Sequence, residues 1–92
     1  MINNDFKTPG ELGHIIALNV RERRKARKLS LKRLSEMSGV SYGSMKRFEA
    51  SGQISLTSLL KIAIVLDCTE AFGQLFARAE PQSIQEIIDR KL

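Results

Sequence analysis

Apolar residues recur along this chain at intervals of three and four, and no stretch alternates with a period of two, so the pattern predicts helices and no strand. Leu12, Ile15, Ile16 and Val20 mark a first helix over 11–28, preceded by a flexible arm over 1–10 that contains the turn-forming Thr8-Pro9-Gly10. Ser30 is a good N-cap for a second helix over 31–38, with Leu34 and Met37 facing inward and Gly39 as its stop. Val40 reads as a buried turn residue. Ser41 then caps a third helix over 42–51, with Met45, Phe48 and the Ala50 region inward, and Gly52 ends it. That leaves Tyr42, Gly43, Ser44, Lys46 and Arg47 for its outer face.

Ser55 caps a fourth helix over 56–67, whose Leu56, Leu59, Leu60, Ile62, Ala63 and Leu66 make a wide apolar face. Thr69 caps a fifth over 70–79, with Phe72, Leu75, Phe76 and Ala79. Pro81 separates this from a last segment, 80–92. There Ser83-Ile84-Gln85-Glu86 matches a capping box, and Ile84, Ile87, Ile88 and Leu92 form one stripe. The expected fold is all-α: a five-helix domain over 11–79 with a short sixth helix in the C-terminal extension.

Composition narrows the function. The only cysteine is Cys68, so neither a disulfide framework nor a multi-cysteine zinc site is expected, and His14 alone cannot complete one. His14 is expected to be packed or half-exposed, and Cys68 to be a small core residue. No apolar run is long enough to span a membrane, and polar Asn3, Asn4, Asp5 and Lys7 occupy the place of a signal peptide's apolar region. A cytoplasmic protein without membrane contact is expected. No Gly-rich phosphate loop, metal-ligand spacing or nucleophile–base pattern is visible, and one histidine offers little acid–base capacity, so neither an enzyme nor a cofactor is expected.

Charge changes the picture further. The net charge is +5, but the window 21–50 alone carries +7, with Arg21, Arg23, Arg24, Lys25, Arg27 and Lys28 crowded at its start. Such a concentration attracts a polyanion. It also suits a solvated helix face, so charge leaves both readings open. Arg23 is expected to reach out to solvent along its alkyl stem.

Local structure separates them. Two short helices joined by a tight Gly-containing turn, the second with small outward residues, form the helix-turn-helix pattern. A helix with a bare outer edge fits the ~12 Å major groove and brings its backbone close to the base edges. Nearby cations supply the sequence-independent part of the affinity.

The ordered set Leu29, Ser30, Leu34, Ser35, Gly39, Val40, Ser41, Ser44, Met45, Phe48, Glu49, followed by Ser55, Leu56, Leu59, Leu60, Ala63 and Leu66, resembles the Xre/Cro/lambda-repressor superfamily over about residues 12–77. The resemblance implies a five-helix lambda-repressor-like fold that binds double-stranded DNA. The Phe72/Phe76 and Ile84/Ile87/Ile88 stripes exceed what so small a core needs, and an amphipathic final helix suggests the interface of a homodimer. The resemblance places Tyr42, Gly43, Ser44 and Lys46 at base-reading positions and Arg47 beside them, within reach of a phosphate or a guanine. Lys32 and Arg33 begin the second helix near the DNA backbone. It also implies a structural ion pair between Arg24 and Glu49, which removes Arg24 from the DNA contacts; the other reading of Glu49 is an exposed residue near a helix end. Many members brace a glutamine after the second helix's cap against one at the start of the third. Here Leu31 and Tyr42 hold those places, and Leu31 is expected to pack on the Tyr42 ring. Tyr42 as a mere packing residue is the alternative.

More narrowly, Gly39-Val40-Ser41-Tyr42-Gly43-Ser44-Met45-Lys46-Arg47-Phe48-Glu49 and Gly52-Gln53-Ile54-Ser55-Leu56 are similar to HipB-like antitoxins. Those repress their own operon and accompany a HipA-type kinase toxin, which that resemblance implies as a partner. A protein-interaction adaptor on the same scaffold, and a non-specific nucleic-acid binder driven by charge, are the rival readings.

Overall fold

A computed structural model of the chain describes residues 8–78, which form five helices in the order α1 (Pro9–Ala26), α2 (Leu31–Ser38), α3 (Tyr42–Ser51), α4 (Leu56–Val65) and α5 (Glu70–Gly73). The expected sixth helix and most of the expected arm lie outside the described residues. No strand occurs among those described.

Local chemistry sets most of the boundaries. Ser30, Ser41 and Ser55 each accept a hydrogen bond from the backbone N–H three residues on, at 2.9, 3.1 and 3.1 Å. Gly39 (φ 79°) and Gly52 (φ 76°) end α2 and α3 in the left-handed region that a Cβ disfavours. α1 starts earlier than expected. Thr8 caps it, Glu11 reaches back to the Thr8 N–H to complete a capping box, and Pro9 takes the first helical position, where its missing N–H costs nothing. Pro9 and Gly10 therefore belong to the helix rather than to an arm.

The core gathers Leu34, Val40, Met45, Ile62 and Leu66, all buried, with Phe48, Ala17 and Ala63 also buried. Each large side chain removed from water contributes ~1.5–3 kcal/mol, so α2, α3 and α4 are held chiefly by these residues. α3 packs on both α1 and α2, and α4 on α2. The α2–α3 turn is held by side chains as well. Ser35 Oγ donates to the Val40 carbonyl, and Ser38 Oγ accepts from the Val40 N–H at 3.2 Å.

Several inward assignments change. Met37 is 47% exposed, because the stripe of α2 that turns inward is Leu31, Leu34, Ser35 and Ser38. Ala50 is exposed, since two residues beyond Phe48 is more than half a turn round the helix. His14 is exposed, and Cys68 is half-buried at the edge of the core. α4 stops at Val65 because Asp67 turns left-handed (φ 56°), and Leu56 in its first turn is exposed. α5 is only four residues long, Thr69 makes no side-chain cap, and Phe76 takes a left-handed φ of 61° that halts helical growth. Leu75 and Phe76 are consequently exposed, while Phe72 is half-buried. Ala79 lies outside the described residues.

Candidate nucleic-acid interface

The outward part of α3 follows from its period. Met45 and Phe48 face the core, so residues about half a turn away form an exposed crest: Gly43 and Ala50. A Cβ built on Gly43 would meet no atom within 4 Å, so nothing inside the protein requires a glycine there. Tyr42 and Lys46 occupy one flank. The Lys46 ammonium lies 5.7 Å from the centre of the Tyr42 ring, a cation–π distance, and the ring is half-exposed. Leu31 packs against the core cluster.

Ser44 and Arg47 occupy the other flank, facing the start of α4. Ser44 Oγ accepts from Ser41 Oγ at 2.9 Å. Arg47 Nη2 donates to Gln53 Oε1 at 2.8 Å. Ser51 Oγ donates to the Arg47 carbonyl at 2.7 Å and accepts from the Gln53 N–H at 3.2 Å, which fixes the loop that carries Gln53. These groups border an open cavity of ≈ 290 Å³ lined by Ser44, Arg47, Gln53, Ile54, Ser55 and Ser58, with no carboxylate among them. The sequence pattern does not point to Gln53, Ser55 or Ser58 as part of a binding surface. Ser55 was recognisable as a cap, but the Arg47–Gln53 contact joins residues six apart across a glycine turn that no helical period relates.

Other cations around this surface differ in how far the fold engages them. Lys32 and Arg33 stand exposed in the first turn of α2, and Arg33 makes an exposed pair with Glu36 at 3.4 Å, an arrangement worth little in water. Arg23 is exposed, as is Lys28, which takes a left-handed φ of 58° just past the end of α1. Arg27 donates to the Val65 carbonyl at 3.3 Å, an α4 C-terminal acceptor, and is thereby engaged within the fold.

Arg24 is buried. Its Nη1 donates to the Leu29 carbonyl at 2.7 Å and its Nη2 approaches Glu49 Oε2 at 3.4 Å, so one guanidinium joins the end of α1, the α1–α2 loop and α3. Its Nε has no partner. The glutamate side chain is 24% exposed, so the pair sits at the margin of the core rather than inside it. By joining the end of α1 to α3, it holds α3 in place beneath its exposed crest.

Taken together, α3 presents a crest without bulk, flanked by hydrogen-bonding and cationic side chains, with exposed Lys32 and Arg33 on the adjoining α2. Such a surface suits a helix-sized groove lined with base edges and bordered by phosphates. Among the described residues, no group of three His, Cys, Asp or Glu is placed to hold a metal ion, and no helix is long and apolar enough to cross a membrane. No curated protein matches the chain. Residues 19–79, about two thirds of the chain, match the Cro/C1-type HTH DNA-binding domain, from the middle of α1 past α5. The chain therefore belongs to the Cro/C1-type HTH family of DNA-binding regulators.

Proposed function

We propose that the protein is a sequence-specific transcriptional repressor that acts as a homodimer on a near-palindromic operator, with α3 of each copy in the major groove. The observation that carries this reading is the uncovered crest of α3. Gly43 and the short Ser44 let the backbone approach base edges, and Tyr42 and Lys46 supply apolar, donor and acceptor groups beside them. Lys32 and Arg33 serve the phosphates.

Dimerisation is supported by apolar surface elsewhere. A groove of ≈ 300 Å³ runs between α1, α4 and α5, lined by Ile16, Val20, Leu59, Ile62, Leu66 and Phe72 among others, with the exposed Leu75 at its rim just past α5. A second copy seated there buries surface that a solitary domain of this size leaves wet. Two copies place their reading helices ~34 Å apart, one turn of B-DNA.

The likeness of residues 39–56 to HipB-like antitoxins extends the proposal to a HipA-type kinase toxin encoded beside this chain. Co-expression with that neighbouring kinase is expected to yield a complex; no complex at micromolar concentration removes the extension and leaves the DNA reading intact.

Selection from a randomised duplex pool tests the main reading. It is expected to return an inverted repeat that is bound at least ~10³-fold more tightly than a scrambled duplex at moderate salt. Equal affinity for both points to charge-driven binding, and no affinity for either points to an adaptor on this scaffold.

A further inference from the structure

We propose that Gln53 is a positioning residue that turns Arg47 away from the bases and toward the sugar–phosphate backbone, so that the two side chains act as one phosphate clamp at the α3–α4 corner. The inference rests on the DNA reading above and assigns a role within it.

A guanidinium carries donors only, so the 2.8 Å contact requires Gln53 to present its carbonyl oxygen to Arg47 Nη2. The amide nitrogen of Gln53 is then left facing elsewhere with two donor hydrogens. Gln53 is not free to follow a moving arginine. Its backbone N–H is held by Ser51 Oγ, which in turn is bonded to the Arg47 carbonyl, so the arginine's main chain and its guanidinium are both tied to one short loop. Arg47 leaves α3 on the flank nearest α4, on the opposite side from Tyr42 and Lys46.

The cavity beside this pair is bordered by donors. Ser44 Oγ and Ser55 Oγ each accept a hydrogen bond, from Ser41 Oγ and the Ser58 N–H, which leaves their own hydroxyl hydrogens to give. With a guanidinium, an amide NH₂ and hydroxyls around it and no carboxylate, the site matches a phosphodiester oxygen, and its place on the α4 side of α3, off the crest, sets it beside the groove edge. This chain lacks the glutamine brace at the start of its reading helix. The Gln53–Arg47 pair supplies a fixed contact near the other end of it.

The test uses fluorescence anisotropy across a salt series with two duplexes, the best sequence recovered by selection and its scrambled counterpart. Arg47→Ala is expected to weaken both by the same factor, roughly tenfold near 0.1 M salt, and to lower the salt slope by about one. Gln53→Ala is expected to give a smaller loss of the same kind on both duplexes, and almost no additional loss in the Arg47→Ala background. Both residues are exposed, so the melting temperature is expected to stay unchanged. A loss confined to the selected duplex makes Arg47 a base reader and overturns the proposal. So does a Gln53→Ala protein that binds like wild type, or losses that add in full. Wild-type protein that binds neither duplex overturns the DNA reading itself, and the clamp with it.

Discussion

At the scale of single residues, the interface depends on a division of labour among cations that look alike in the sequence. Of the basic cluster at the start of the +7 window, Arg24 is buried and Arg27 is bonded to an α4 carbonyl, so charge count overstates what is offered to a polyanion. Arg24→Ala leaves Glu49 beside the core without its partner and removes the bond to the Leu29 carbonyl. Because that carboxylate remains partly solvated, the loss is expected at or below the lower end of the ~3–5 kcal/mol typical of broken buried pairs, read by urea denaturation. Lys32→Ala has a different signature. It is expected to weaken binding to all duplexes alike and to lower the salt slope by about one, with no change in stability. A preference altered at one base position would move Lys32 from the backbone to the bases.

At the scale of elements, the seating of α1 on α3 decides where the reading helix lies. α1 comes close to the C-cap of α3 at a pair of glycines: a Cβ on Gly13 would come within 2.6 Å of the Gly52 carbonyl oxygen. Gly13→Ala is therefore expected to destabilise the domain by ~1–3 kcal/mol despite the better helix propensity of alanine, a fall of several degrees in melting temperature. An unchanged melting temperature would mean that α1 and α3 do not meet there. This contact marks the limit of what the chain discloses by itself. The serine caps and the glycine stops were legible because they act on their own neighbours within three or four residues. The inward positions Leu34, Met45, Phe48 and Ile62 were legible because burial follows the helical period. The capping box at Thr8 was also written in the sequence, but Pro9-Gly10 reads as a turn until the helix is seen to begin there. Met37 reads as inward by its hydrophobicity, but the phase of α2 turns Leu31, Leu34, Ser35 and Ser38 inward and leaves it exposed. The length of α5, the Gly13–Gly52 contact, the Arg27–Val65 bond and the Arg47–Gln53 pair depend on how separated segments meet or on backbone turns, and no period encodes them.

At the scale of the whole molecule, two surfaces with different chemistry share one small core. The crest of α3, with the start of α2 and the α3–α4 corner, is polar and cationic; the groove between α1, α4 and α5 is apolar. Using the groove to pair copies leaves both reading helices free for DNA. Leu75→Ser is accordingly expected to shift the protein toward monomer in sedimentation equilibrium and to weaken operator binding, while the isolated domain keeps its fold, because Leu75 lines the groove but is 58% exposed and contributes little to the core. A dimer unaffected by that change would place the interface elsewhere. The claim on which the rest depends is that α3 meets the bases edge-on, and one binding titration tests it most directly. Ser44→Arg adds bulk beside the crest, yet it keeps the Ser41 cap, because that cap bonds the backbone N–H of position 44 and not its side chain. The account predicts that this variant folds and melts like wild type, binds scrambled duplex at least as well, and loses its preference for the selected operator. A variant that still selects the operator with wild-type affinity would contradict it.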